Sequence, residues 1–121
     1  MKILVCDDEE VVLKVVQIAL QDKNVEIVFA RDGHQAMQLL KGSTHFDLII
    51  TDIHMPHYNG DDILKLVREE QKKDTPIVML SSDGEEEVIA MALKQGVSDF
   101  IVKPVDAEKL MKKIKRFLPR Q

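Results

Sequence analysis

Residues 47–60 of the sequence read DLIITDIHMPHYNG. Leu48 to Thr51 form a short, nearly continuous apolar run rich in β-branched residues, which is typical of a strand buried on both faces of a parallel sheet. Asp52 follows the run directly, and the turn pair Asn59-Gly60 closes the stretch. The pattern predicts a buried strand that brings a carboxylate to the edge of a sheet.

Four further runs of the same kind predict four more strands, at Ile3 to Cys6, Glu26 to Ala30, Ile77 to Leu80 and Phe100 to Val102. Segments with apolar residues at helical spacing lie between and after these strands. Their apolar residues are Val12, Val15, Val16, Ala19 and Leu20; Ala36, Leu39 and Leu40; Ile63, Leu64 and Val67; Val88, Ile89, Ala92 and Leu93; and Leu110, Ile114 and Phe117. Five strand–helix units with right-handed crossovers predict an α/β fold, a doubly wound five-stranded parallel sheet with helices on both faces.

Length and composition indicate one domain over residues 1–121, with enough chain to bury a core. Charged residues make up 31% of the chain and hydrophobic residues 45%, which argues against disorder. The net charge of −4 gives no general attraction to nucleic acid, so no direct binding of nucleic acid is expected. No apolar run approaches the roughly 18 residues of a membrane span, and the lone Cys6 cannot form an internal disulfide. We therefore expect a cytoplasmic domain without membrane association.

Polar side chains follow four of the five predicted strands, where a doubly wound sheet binds its ligands. These residues are Asp7 and Asp8 after the first strand, Asp52 after the third, Ser81 and Ser82 after the fourth, and Lys103 with Pro104 after the fifth. Taken alone, Asp8 reads equally well as a helix N-cap, and Lys103 as a solvated surface lysine. Because the fold brings these positions to one edge of the sheet, we predict that together they form one site.

Charge balance indicates which chemistry this site performs. Two carboxylates about 5 Å apart repel by about 3 kcal/mol at an effective dielectric near 20, so three of them require either protons or a cation. A hard divalent ion such as Mg²⁺ suits oxygen ligands, and together with Lys103 it would neutralise the three carboxylates. The sequence has no GxGxxG after the first strand, no Walker-type glycine loop and no GxSxG, which leaves a metal-assisted aspartyl nucleophile and phosphate chemistry.

Four stretches together carry a family resemblance: ILVCDDEE at 3–10, DLIITDIHMPHYNG at 47–60, PIVMLSS at 76–82 and GVSDFIVKP at 96–104. With them, the chain resembles a response-regulator receiver domain of two-component phosphorelay systems over essentially its whole length. The resemblance implies the flavodoxin-like strand order 2-1-3-4-5. It also implies a signalling protein whose only chemistry is its own phosphorylation and dephosphorylation, rather than an enzyme.

The resemblance also implies site residues. Asp52 would be the phosphoacceptor, with Ser81 and Lys103 as its catalytic partners. Mg²⁺ would be held by the carboxylates of Asp7, Asp8 and Asp52 and by the backbone carbonyl of His54. A conformational switch would involve Ser81, Phe100 and Pro104, and the bond before Pro104 would be cis.

Partners follow from the same resemblance. The phosphoryl group would come from a sensor histidine kinase or a histidine phosphotransfer protein. The output would be a downstream protein or effector domain, bound through the fourth and fifth strand–helix units. The protein would be a monomer or a phosphorylation-dependent dimer.

Two other functions compete with this interpretation. A pseudo-receiver would act as an interaction module that needs no phosphorylation, but the intact set of site residues argues against it. A metal-dependent phosphatase of the aspartyl-nucleophile type would carry a second aspartate two residues after the nucleophile, and this chain has His54 there.

Overall fold

Within the residues that the computed structural model describes (1–82, 91 and 93–119), five parallel strands form one sheet in the order β2-β1-β3-β4-β5. The strands are β1 Lys2–Cys6, β2 Glu26–Ala30, β3 Leu48–Asp52, β4 Ile77–Ser81 and β5 Asp99–Val102. The predicted fold class and strand order are therefore confirmed. Strands β3 and β4 each end one residue later than predicted, so Asp52 and Ser81 are the last residues of their strands rather than the first residues of loops.

The described helices begin and end close to the predicted positions. They are α1 Glu10–Leu20, α2 Gly33–Lys41, α3 Gly60–Lys65 and α4 Ala107–Ile114, the last of which follows β5. A π-helical turn, Leu66–Glu70, continues α3, and a 3₁₀ turn, Lys115–Phe117, continues α4. Of the helix predicted between β4 and β5, Leu93 is helical, whereas Val88, Ile89 and Ala92 lie outside the described residues.

Side chains at the helix N-termini explain where three of these helices begin. Asp32 and Asp106 each accept a hydrogen bond from the backbone N–H three residues on, and Asn59 forms a capping box with Asp62. Helix α1 differs, because its N-cap is Glu9 and no side chain caps it. The alternative role of Asp8 as an N-cap is therefore wrong.

The described residues form two apolar cores, one on each face of the sheet. Successive strand residues point to opposite faces, so Ile3 and Val5 pack with α1 and α4, whereas Leu4 and Cys6 pack with α2 and α3. This two-sided burial is why the strand sequences are almost continuously apolar. Each fully buried Leu or Ile contributes about 1.5–3 kcal/mol relative to exposure.

Cys6 belongs to the core on the α2 and α3 side and is fully buried. Burial raises the pKa of its thiol to about 12, with a smaller contribution from the charge of Asp7 and an opposing hydrogen bond to Thr51. The thiol therefore stays protonated and serves as a small packing group. In the described part of the chain, no helix has both the length and the apolar character needed to cross a membrane.

Candidate functional site

Backbone hydrogen bonds continue past the strand ends and fix the residues that follow. The Asp7 N–H donates to Ala30 O at 3.0 Å, and the Lys103 N–H donates to Ser81 O at 2.7 Å. The register pairs Cys6 with Thr51, so the next residues, Asp7 and Asp52, come side by side at the carboxyl ends of the adjacent strands β1 and β3. The site is therefore held by the same ladder that holds the sheet.

The ammonium group of Lys103 lies among three carboxylates. Its Nζ is 2.9 Å from Glu9 Oε1, 3.1 Å from Asp52 Oδ2 and 3.2 Å from Asp7 Oδ2. The second oxygen of Asp52, Oδ1, accepts the His54 N–H at 3.2 Å. These contacts bring together Asp7, Asp52 and Lys103, three of the residues that the sequence assigns to one site.

Burial makes these charges energetically significant. Asp7 is 0% exposed, Asp52 is 6% exposed, and the Lys103 side chain is 11% exposed. Burial disfavours the charged form of Lys103, but its contacts with the carboxylates of Glu9, Asp52 and Asp7 outweigh that cost and raise the pKa of the amine above its ordinary value. Lys103 is therefore a permanent positive charge at physiological pH.

Asp7 has two unequal oxygens. Its Oδ1 accepts the Glu9 N–H at 2.8 Å, whereas its Oδ2 is buried and has no hydrogen-bond partner among the described residues, although Lys103 lies nearby. Burial and the neighbouring Asp52 raise the pKa of Asp7, and they outweigh the opposing effects of the Glu9 N–H and Lys103. An ionised Asp7 is thus incompletely compensated by the protein itself.

This arrangement fits a hard cation. One carboxylate oxygen from each of Asp7, Asp8, Glu9 and Asp52 lies within 4.8 Å of all the others, and Asp8 and Glu9 are exposed to solvent. Four carboxylates face one ammonium group in the described part of the site, so negative charge is in excess. Excess charge, oxygen donors and the orphaned Oδ2 of Asp7 together match what Mg²⁺ requires of a site.

The remaining predicted residues lie on β4 and β5 or in the segments that follow β3 and β5. Ser81 is fully buried at the end of β4, the next strand after β3 in the sheet, and the bond between Lys103 and Pro104 is cis. Phe100 is also buried, and it belongs to the apolar core on the α2 and α3 side. His54 is exposed, and its backbone N–H, rather than its ring, contacts Asp52.

Sequence reasoning missed Glu9 as a member of the site. The letters DDEE place it directly after the two aspartates, and its contact with Lys103 joins residues 94 positions apart. A run of four acidic residues was the available signal. Such a run does not by itself show which acidic side chains face the site and which face solvent.

Comparison with known proteins gives consistent results. A family model described as the response regulator receiver domain matches residues 3–115. The transcriptional regulatory protein CpxR of Escherichia coli K12 is 34% identical over 119 residues, which is 98% of this chain and 50% of CpxR. The CAI-1 autoinducer sensor kinase/phosphatase CqsS of Vibrio cholerae is 33% identical over 115 residues, 93% of this chain and 17% of CqsS. The chain thus spans half or less of the length of these relatives.

Among solved structures, the chemotaxis response regulator CheY4 of Vibrio cholerae is similar over nearly its whole length. It superposes with a TM-score of 0.85 and 35% sequence identity, covering 97% of this chain and 98% of that one.

Proposed function

The chain belongs to the response regulator receiver domain family, and from that premise we propose that it is a phosphoacceptor switch in which Asp52 carries the phosphoryl group. The observation that supports this most is the setting of Asp52. It is almost buried at the carboxyl edge of the sheet, with one oxygen on the Lys103 ammonium and the other on the His54 N–H. A carboxylate held this way is oriented before a phosphoryl donor arrives.

The proposed reaction transfers a phosphoryl group from a phosphohistidine. An oxygen of Asp52 forms the new O–P bond in line with the P–N bond that breaks, and the leaving imidazole takes up a proton. Lys103 offsets negative charge on the phosphoryl oxygens as they approach. Little proton chemistry is asked of the protein, so positioning and electrostatics carry the rate.

We assign the Mg²⁺ site to the carboxylates of Asp7, Asp8 and Asp52 and the backbone carbonyl of His54. The orphaned Asp7 oxygen and the excess of carboxylates support this assignment. When bound, Mg²⁺ would supply positive charge against the phosphoryl oxygens and the acids. The chain's own part is to hold these oxygens at one edge of the sheet.

Phosphorylation would shift the protein between two conformations. Ser81 and Lys103 would each contact a phosphoryl oxygen, and hydrogen bonds to charged groups contribute about 1.5–3 kcal/mol each. Two of them give about 3–6 kcal/mol, comparable with the roughly 5.5 kcal/mol that moves an equilibrium from 1:99 to 99:1. Movement of Ser81 would act on Phe100 and on the segment at Pro104. Phe100 would start from a buried position.

Exposed apolar side chains support protein partners on two surfaces. Val11 and Ile18 lie on α1, which begins beside the acidic cluster, and they fit the approach of a sensor kinase or a phosphotransfer protein. Leu93 and Val102 are exposed in the fourth and fifth strand–helix units, where we place the downstream effector and any phosphorylation-dependent dimer contact. The contacts of Asp52 with Lys103 and His54 disfavour the pseudo-receiver alternative.

Mass spectrometry of the intact protein tests this function. With Mg²⁺ and acetyl phosphate, the wild-type chain should gain the mass of one phosphoryl group, whereas Asp52→Asn should gain none. Asp61→Asn is the matched control, because Asp61 is an exposed residue in the first turn of α3 and should leave labelling intact. Full labelling of Asp52→Asn would show that the acceptor is another residue.

A further inference from the structure

Glu9 is an acid in direct contact with Lys103, yet it lies outside the set of residues assigned to phosphoryl transfer. Its Oε1 is 2.9 Å from Lys103 Nζ, which is the shortest of the three carboxylate contacts made by that amine. Its side chain is 57% exposed, whereas those of Asp7 and Asp52 are 0% and 8% exposed. One partner of Lys103 therefore faces water while the other two are buried.

The backbone holds Glu9 in this position. Its N–H donates to Asp7 Oδ1 at 2.8 Å, and its carbonyl accepts the N–H groups of Val12 and Leu13 as α1 begins. The main chain of Glu9 is thus anchored on both sides. Its side chain does not cap α1 and instead extends across the edge of the sheet to the amine of Lys103.

The carboxylates around Lys103 limit the access of a further anion to its ammonium group. An ammonium group has three N–H bonds, and three carboxylate oxygens lie within 3.2 Å of it. Because Lys103 Nζ donates to Glu9 and Asp52 and has Asp7 Oδ2 at 3.2 Å, a phosphoryl oxygen that approaches the amine competes with these carboxylates. The exposed Glu9 is the least costly to release, because solvent-exposed ion pairs contribute little and water solvates the freed carboxylate.

We propose that Glu9 is a positioning residue that holds Lys103 over the unmodified site and that the phosphoryl group displaces it. The inference rests on the proposed function of Asp52 as acceptor. In this arrangement the charge of Glu9 has two effects, since it orients the amine and also opposes the entry of another anion. The side chain thereby sets how readily the site accepts a phosphoryl group.

The test compares Glu9→Gln with the wild type. Glutamine keeps the length and an acceptor oxygen for Lys103 but removes the charge. Binding of beryllofluoride, a phosphoryl mimic, is measured by titration at saturating Mg²⁺, together with the rate of labelling by acetyl phosphate. We expect Glu9→Gln to bind beryllofluoride about three- to five-fold more tightly at low salt, and the advantage to shrink as salt is added.

Glu10→Gln is the matched control, because it makes the same charge change one residue away. Glu10 pairs with Arg31 at 2.7 Å, and both side chains are more than half exposed. This control should bind beryllofluoride like the wild type. If the role of Glu9 is electrostatic, added salt should reduce the difference in beryllofluoride affinity between Glu9→Gln and the wild type. A merely structural role would leave that difference unchanged by salt.

The outcomes distinguish the two proposals. If the wild type fails to bind beryllofluoride and is not labelled, the proposed function itself is overturned. If the wild type binds it, while Glu9→Gln matches Glu10→Gln or binds more weakly than the wild type, Asp52 remains the acceptor and the role of Glu9 is overturned.

Discussion

The two edges of the sheet use polar side chains in opposite ways. At the amino edge, polar side chains pair with backbone groups: Asp47 accepts the Lys2 N–H, and Ser98 accepts the Ile77 N–H. At the carboxyl edge, side chains contact one another, with Lys103 among several carboxylates and one oxygen of Asp7 without a hydrogen bond in the described residues. The protein itself satisfies these hydrogen bonds at the amino edge, whereas the described part of the carboxyl edge retains a carboxylate oxygen without a hydrogen bond.

This difference separates stability from function. Side chains that satisfy backbone groups stabilise the fold, and their loss leaves a buried donor or acceptor unpaired. Excess carboxylates destabilise the fold, because burying like charges together is unfavourable. We therefore expect substitutions at the amino edge to change stability alone, and substitutions at the carboxyl edge to change phosphorylation first.

The largest effect is expected for Lys103→Met. Removing one preorganised positive group from a charge-stabilising site lowers rates by about 10²–10³-fold, so labelling of Asp52 by acetyl phosphate should slow by that factor. Lys109→Met is the control, because Lys109 lies on the exposed part of α4 and contacts the Pro104 carbonyl instead. A labelling rate within about three-fold of wild type for Lys103→Met would show that this carboxyl-edge residue contributes little to phosphorylation, contrary to the proposed difference between the edges.

Arg68→Ala should give the next largest effect, at the amino edge. Arg68 lies in the π-helical turn and donates to the carbonyls of Gly96 and Lys73. Loss of these bonds should reduce the free energy of unfolding by about 2 kcal/mol, measured by urea denaturation, while labelling is unchanged. Lys65→Ala, on the exposed face of the same helix, is the comparison. Slower labelling of folded Arg68→Ala would contradict the separation of the two edges.

A smaller loss is expected for Ser98→Ala. The Ser98 hydroxyl accepts the N–H of Ile77, which is fully buried at the start of β4, and alanine would leave that donor unpaired. We expect about 1 kcal/mol less free energy of unfolding in the same urea experiment. Ser98→Thr should recover most of it, because threonine retains the hydroxyl. Equal losses in both variants would mean that the Ile77 N–H is satisfied otherwise.

The smallest effect is a gain, expected for Asp7→Asn in the presence of EDTA. The pKa of Asp7 in the folded protein is raised above the ordinary value of 3.8, mainly by burial and by Asp52. Its contribution to stability is therefore fully present below that ordinary value and is lost as the pH rises through the folded pKa. Near neutral pH the ionised carboxylate costs stability, which asparagine avoids.

Urea denaturation over a range of pH tests this sign. The gain of Asp7→Asn over the wild type should grow with rising pH and should diminish when Mg²⁺ is added, because the variant lacks one carboxylate of the proposed Mg²⁺ site. A variant that is less stable than the wild type at neutral pH in EDTA would show that the Lys103 contact outweighs burial.

Much of this molecule could be predicted from the sequence because strands buried on both faces leave an unmistakable apolar pattern. The residues that follow such strands must then meet at one edge, which is why Asp7, Asp52 and Lys103 could be grouped. The role of Glu9 could not be predicted, because it depends on a contact between side chains far apart in the chain. The π-helical turn at Leu66–Glu70 could not be predicted either, because it continues α3 with the same apolar spacing.

The order of the strands has a consequence for how the protein is made. Asp7 follows β1 and Asp52 ends β3, whereas the amine of Lys103 directly follows β5 and is synthesised after both acids. A ribosome-bound fragment lacking β5 would carry the acceptor without its counter-charge. Under the proposed function, phosphoryl transfer to Asp52 should therefore become efficient only once β5 has joined the sheet.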